Sequence, residues 1–202
     1  MPFSSLTEEC EGWETTARET HFHSAHLEVA TEEVRTPARP DGRSWIVAHR
    51  KAAVIVAPLT ADGRLVLIRQ ERIPIRSAIW EVPSGQIDDA AALDARAIEA
   101  VALRELQEET GYQLAPGAEL LPLGHFFSSP GFTDERGYHF LARPVELSAA
   151  GQAHEESETI LDCRAFTTEE ISRMIRENEI RDANTLSICA KLVARGEFLL
   201  HI

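Results

Sequence analysis

The sequence is short of positive charge. Twenty Lys and Arg face thirty-three Asp and Glu, a formal net charge of −13 with His neutral. That balance repels a phosphate backbone, and no local basic patch interrupts it, so no nucleic-acid partner is expected. An anionic substrate would then need a bridging metal ion. Cysteine is scarce as well: Cys10, Cys163 and Cys189 are widely spaced and form no CxxC pair. This argues against a disulfide framework and a zinc knuckle, and it predicts a reducing compartment, the cytoplasm. No run of eighteen apolar residues occurs, and the start "MPFSSLTEECEGWE" lacks a basic segment leading into an apolar one. Neither a membrane span nor a signal peptide is expected, and the protein is expected to be used where it is made.

What is present is ordinary for a globular protein: 202 residues, 44% hydrophobic and 26% charged. That length supports one sizeable core with a small appended subdomain. Residues 1–20 are polar and acidic without a clear period and read as a loosely held arm. "HFHSAHLEVATEEV" alternates as a strand, "ARPDGRS" supplies a turn, and "WIVAHR" reads as the antiparallel partner. Residues 1–50 are thus an arm and a small β subdomain, and residues 51–202 the main domain. "AAVIVAPLT", the turn "ADGR" and "LVLIRQERI" predict a hairpin, and "AIWEVPSG" a short strand ending at Pro83 and Gly85. A helix is expected over residues 91–110, stopped by Gly111, with Ile98, Ala102, Leu103 and Leu106 as its apolar stripe. Strands follow at "ELLPLGHFF", "RGYHFLARPV" and "ETILDCRAF", with an acidic loop "GQAHEESE" before the last. Thr167 and Glu170 make a capping box for a helix through Ile175, and "DANTLSICAKLVAR" reads as a final amphipathic helix. The fold class is α+β.

The helix over 91–110 carries an oddity, "RELQEETGY". Glu105, Glu108 and Glu109 stand at i, i+3 and i+4 and project within an arc of roughly 100°. Like charges so placed cost an isolated helix a few tenths of a kcal/mol per pair. Arg104 is the one cation nearby in the sequence, and a bound metal ion would supply the rest.

"WEVPSG" followed by a helix bearing "RELQEETGY" resembles the Nudix hydrolases, whose signature is G-x5-E-x7-R-E-U-x-E-E-x-G-U with U apolar. Arg104, Glu105, Leu106, Glu108, Glu109, Gly111 and Tyr112 fill its second half. The resemblance implies a Nudix fold, a mixed β-sheet sandwiched between helices, here with the small N-terminal β subdomain. It also implies Mg2+ as cofactor, with Mn2+ as the alternative ion. Glu105 and Glu109 are implied as its main ligands, Glu108 and the backbone oxygen of Ser84 as further ones, and Arg104 as the residue that orients the cluster. Gly85 ends the strand at the substrate. The first half departs from the signature: Arg104 follows Gly85 by nineteen positions instead of fourteen. Counting forward reaches Ala91 and counting back reaches Arg96, so the box glutamate is unassigned, with Asp88, Asp89, Asp94 and Glu99 as stand-ins.

"RQERIPIRSAIWEVPSGQID", "SSPGFTDERGYHFLAR" and "NEIRDANTL" resemble the ADP-ribose pyrophosphatase branch of the family. The resemblance covers roughly residues 21–198. It implies hydrolysis of the diphosphate of a nucleoside diphosphate sugar, ADP-ribose going to AMP and ribose 5-phosphate. It also implies a homodimer in which residues 21–50 meet the second subunit and help shape the nucleoside pocket. A loop glutamate after S-P-G is implied as the general base or a metal ligand, delivered by a mobile loop. Glu135 is the choice and Asp134 its competitor. Arg72 is a candidate contact to a phosphate or the terminal ribose, and Phe132 one to stack on the base or ribose. Trp80 shares that second possibility but reads better as core, and His21 and His23 read better as surface residues than as metal ligands. Two other functions stay open: a pyrophosphatase for a GDP- or UDP-sugar, and a nucleotide-sensing domain that binds without cleaving.

Overall fold

The computed structural model describes residues 11–87, 94–152 and 159–200. At the N-terminal end, β1 (Glu14–His23), β2 (Leu27–Thr36) and β3 (Arg39–Arg50) form an antiparallel sheet in that order. The expectation of an irregular arm through residue 20 is therefore corrected from Glu14 onward. Every residue of β1 is exposed, so no burial imposed the alternation by which a strand is recognised in sequence. The strand is instead held by its ladder to β2 and by Arg18, which bridges Glu28 and Glu32. The turn into β3 is also shifted, because Pro37 and Ala38 make the connection and Asp41-Gly42 lies within β3. There the register slips from Val34↔Arg43 to Thr36↔Arg39, and Gly42 takes φ 79°. The Asp-Gly signal thus marks a strand irregularity, for which glycine supplies the positive φ.

The second sheet has seven strands: β4 (Ala53–Thr60), β5 (Leu65–Arg72), β6 (Ser77–Glu81), β7 (Ser84–Gln86), β8 (Tyr112–Phe127), β9 (Arg136–Leu147) and β10 (Ile160–Phe166). Its order is β10-β5-β4-β9-β8, with β6 on β5 and β7 on β4. The β4–β9 pair is parallel and the other pairings are antiparallel, so the sheet is mixed. "AIWEVPSG" forms two strands rather than one. Val82 and Pro83 separate β6 from β7, and proline has no N–H for a ladder. β8 is longer than expected, reaching back to Tyr112, with an interruption in its register between Leu114 and Glu119.

Three helices, α1 (Ala95–Thr110), α2 (Thr168–Arg176) and α3 (Ala183–Ala194), cover the two faces. The period-two alternation of β4 decides which residue goes where. Val54 and Val56 join Val66, Tyr138 and Phe140 against Ile98, Ala102 and Leu106 of α1. Ile55 and Ala57 join Leu65, Leu67 and Leu141 against Ile171, Met174, Ile188 and Leu192 from α2 and α3. Each fully buried aliphatic side chain stabilises by about 1.5–3 kcal/mol, so these contacts outweigh the like-charge cost on α1. The expected mixed sheet between helices is what forms. Leu103 is a correction: at 38% exposure it leaves the apolar stripe to Ile98, Ala102 and Leu106, each at 0%. The capping box of α2 is present as expected, with Thr167 and Glu170 bonding each other's backbone N–H.

Trp80 packs edge-on against Phe166 at 4.9 Å beside the α2–α3 core, in keeping with its core reading. Cys163 and Cys189 are free thiols, and burial pushes both up to about 12, so neither is a nucleophile near neutral pH. Cys10 lies outside the described residues, as do residues 153–158 of the acidic loop. No described helix is long and apolar enough to cross a membrane.

Candidate active site

The site grows from two local features, a helix that starts and stops on cue and a strand end that meets it. Asp94 caps α1, its Oδ1 accepting from the Ala97 N–H at 2.7 Å. The helix therefore begins at Ala95 in the described residues, and positions 91–93 of the expected helix lie outside them. Gly111 ends it with φ 73°, its N–H donating to the Gln107 carbonyl at 2.9 Å. Among the stand-ins for the missing box glutamate, Asp94 is committed to the cap, Glu99 sits half-buried on the helix, and Asp88 and Asp89 lie outside the described residues.

β7 lies beside β4 in the register Ile55↔Ser84 and Val54↔Gly85, which carries Ser84 and Gly85 onto the acidic face of α1. The Ser84 N–H donates to Glu109 Oε2 at 2.7 Å, and Glu109 is fully buried. Gly85 faces Glu105 so closely that a Cβ on it would lie 1.9 Å from the Glu105 Cδ. No residue with a side chain fits there unless Glu105 is displaced. Glu105 itself is 6% exposed. Arg104 answers the crowding of acids, donating to Glu105 Oε1 at 2.6 Å and to Glu108 Oε2 at 2.7 Å. Ser84, Gly85, Arg104, Glu105, Glu108 and Glu109 are thus brought together.

Burial of two carboxylates in a protein of net negative charge is costly unless a cation compensates. The donors are all oxygens, which suits a hard divalent ion such as Mg2+ and excludes a preference for soft metals. The close seating of the Glu105 carboxyl group on Gly85, allowed by the missing Cβ, fits the same reading. Among the described residues no three acidic, histidine or cysteine side chains are already gathered into a ligand cage. Arg104 draws Glu105 and Glu108 toward itself, while Glu109 turns to Ser84.

Arg72, at the end of β5, is held by a residue the sequence reading missed. Glu81 of β6, 2% exposed, accepts from Arg72 Nε at 2.9 and 3.1 Å and from Nη2 as well. These hydrogen bonds, and behind them the charges of Glu81, Glu109 and Asp182, raise Arg72 above its ordinary value against the opposing effect of burial. The guanidinium therefore lies within the field of Glu109 of α1 while its side chain remains 38% exposed. The "WEVP" acid directly before the strand break was the available signal for Glu81. Thr185 fixes that break by accepting from the Val82 N–H at 3.0 Å, and Asp182, which caps α3, accepts from Thr185.

The loop between β8 and β9 carries the remaining candidates. Glu135 Oε2 accepts from Ser128 Oγ at 2.7 Å, and its Oε1 lies 3.2 Å from Arg50 Nε. Asp134 is occupied differently: Oδ1 accepts from the Arg50 N–H at 3.0 Å and Oδ2 lies 2.7 Å from His49 Nδ1. The two neighbours thus share Arg50, one through its backbone N–H and the other through its side chain, but differ in their other partners, and neither is joined to the α1 acids by these contacts. Phe132, 56% exposed, lines a cavity of about 250 Å3 with Trp45, Val47, Phe127, Pro130, Thr133 and Asp134. Trp45 was missed because its partner in this cavity lies far along the chain. His21 and His23 are exposed on β1, His21 Nε2 meeting Thr31 Oγ1 at 2.7 Å, as expected of surface residues.

Comparison with known proteins follows the same lines. The NUDIX domain model matches residues 48–187. An ADP-ribose pyrophosphatase from Bacillus subtilis (strain 168) is 31% identical over 172 residues, 85% of this chain and 87% of the relative. A methanol dehydrogenase activator from Bacillus methanolicus is 29% identical over 187 residues, 93% of this chain and 95% of the relative. The crystal structure of an ADP compounds hydrolase superposes with a TM-score of 0.68 at 18% identity, covering 95% of this chain and 100% of that one, a likeness of fold. The acid-bearing helix seated on a glycine-ended strand, the mixed sheet between helices and these matches place the chain in the Nudix hydrolase family, as an enzyme of its ADP-ribose pyrophosphatase-like branch.

Proposed function

We propose that the enzyme hydrolyses the diphosphate bond of a nucleoside diphosphate sugar with Mg2+ as cofactor, and that its substrate is ADP-ribose, cleaved to AMP and ribose 5-phosphate. The observation that carries this reading is the seating of Ser84 and Gly85 on Glu109 and Glu105. Glu105 and Glu109 would hold the ion, with Glu108 and the Ser84 backbone oxygen as further ligands; Mn2+ is the alternative ion. When bound, such an ion neutralises the diphosphate, polarises the P–O bond and lowers the pKa of a coordinated water. Arg104 orients the acids, and Glu135 takes the proton of the attacking water. Arg72, steadied by Glu81, binds a phosphate, for which a guanidinium fork is well shaped. Phe132, with Trp45 beside it, offers an aromatic wall for the base or ribose.

The choice of ADP-ribose draws on the name of the Bacillus subtilis relative. A panel of ADP-ribose, a GDP-sugar and a UDP-sugar, with phosphate-coupled detection, tests it. ADP-ribose is expected to have the highest kcat/KM. A higher value for either of the others would replace it, and binding without turnover of any of them would support the sensing domain instead.

Residues 1–50 serve as a dimerisation arm in this reading, appended to a catalytic domain over residues 51–202, and the enzyme acts in the cytoplasm. Phe22, Trp45 and Ile46 expose large apolar side chains on the small sheet, and Trp13 does so just before β1; a second subunit would cover such surface. Light scattering at micromolar concentration is expected to give twice the mass of 22.4 kDa; a monomeric mass with full activity would contradict it.

A further inference from the structure

The loop Ser128–Glu135 leaves β8 and returns to β9, yet its anchors lie elsewhere, on the small N-terminal sheet. Trp45 Nε1 donates to the Gly131 carbonyl at 3.0 Å, and the Ala48 N–H donates to the Phe132 carbonyl at 3.0 Å. Ala48 and Thr133 form a parallel bridge, so β3 runs beside the loop as a strand would. Asp134 closes this seam with both oxygens, one on the Arg50 N–H and one on His49, whose other nitrogen lies 3.4 Å from Glu32 of β2. The next residue, Glu135, shares Arg50, whose side chain reaches it at 3.2 Å. Within the loop, the Glu135 N–H donates to Thr133 Oγ1, and Thr133 is 9% exposed. The loop is therefore tied to the small sheet at several points along its length.

We infer that β3 is the template on which the catalytic loop is set, and that Asp134, with His49 behind it, is a positioning residue that fixes where the Glu135 carboxylate stands. Two adjacent acids divide the work. Asp134 commits both oxygens to β3, and this in turn settles the backbone from which Glu135 projects. The small sheet thereby contributes to turnover from a strand more than eighty positions away in the sequence. The inference rests on the proposed role of Glu135 as the loop acid.

A double-mutant cycle tests it, with kcat and KM for ADP-ribose measured at saturating Mg2+. Asp134→Ala is expected to lower kcat about tenfold with little change in KM, within the range for a misplaced catalytic group. Asp134→Asn keeps an oxygen for the Arg50 N–H and is expected to recover most of that loss. In a Glu135→Gln background, Asp134→Ala is expected to cost nothing further, because the group it positions is already gone. Hydrogen exchange gives a readout that does not depend on catalysis. The Asp134→Ala protein should exchange the Ala48 and Arg50 amides faster, while the amides of β4 and β9 keep their protection. An additive loss in the Glu135→Gln background, or unchanged exchange at Ala48 and Arg50, would overturn the inference and leave the role of Glu135 standing. Near-normal turnover of Glu135→Gln itself would remove the loop acid and this inference with it.

Discussion

Glu109→Gln is expected to abolish nearly all turnover while leaving the fold intact. The side chain is fully buried, and one of its oxygens accepts from the Ser84 N–H at 2.7 Å. Glutamine has the same length and can keep that hydrogen bond through its carbonyl oxygen, so the strand end stays on the helix. What it loses is the negative charge that a hard divalent ion requires. Residues that merely support a metal ligand cost about 10–100-fold when replaced, so neutralising a ligand is expected to exceed about 100-fold. Thermal unfolding should show little destabilisation, since the substitution also removes one buried like charge from a crowded helix face. Near-normal turnover of the variant at saturating Mg2+ would remove Glu109 from the metal site.

The second large effect is expected at Glu135. Glu135→Gln should lower kcat by roughly 10²–10⁴-fold, the usual range for losing general base catalysis, with a smaller change in substrate affinity. The amide can still accept from Ser128 Oγ, as the carboxylate does at 2.7 Å, so the loop keeps its place while the proton acceptor is lost. Asp134→Asn should cost much less, because its carboxylate serves the Arg50 N–H and His49. The acids of α1 are poor alternatives as base: Glu105 and Glu108 are held by Arg104, and Glu109 by Ser84. A larger loss for Asp134→Asn than for Glu135→Gln would show that the roles of the two neighbours are reversed.

How far the sequence disclosed this site follows from how far apart the interacting residues lie. The acidic face of α1 is written in spacings of three and four residues, and its stop at Gly111 is written two residues further on, so both were legible. β4 and β5 were legible for another local reason: buried on both faces, they read as short continuous apolar runs on either side of a turn. β1 was not, because an exposed strand has no buried face to pattern. Leu103 misled because it lies next to the apolar stripe in sequence but points to solvent. Arg72 was recognised and its clamp was not: Glu81 stands nine positions away and meets it only once β5 and β6 pair. The contacts between β3 and the Ser128–Glu135 loop join residues 84 to 86 positions apart, a separation at which sequence pattern carries no signal of pairing.

The acids of α1, set against the Ser84–Gly85 strand end, are expected to make a metal-dependent diphosphate hydrolase. Chromatographic analysis of the products formed from ADP-ribose, with Mg2+ and then with the ion removed by a chelator, tests it most directly. AMP and ribose 5-phosphate are expected in equal amounts with Mg2+, no products without it, and full recovery when Mg2+ is restored. Undiminished cleavage in the presence of the chelator, or products that leave the diphosphate bond intact, would contradict it.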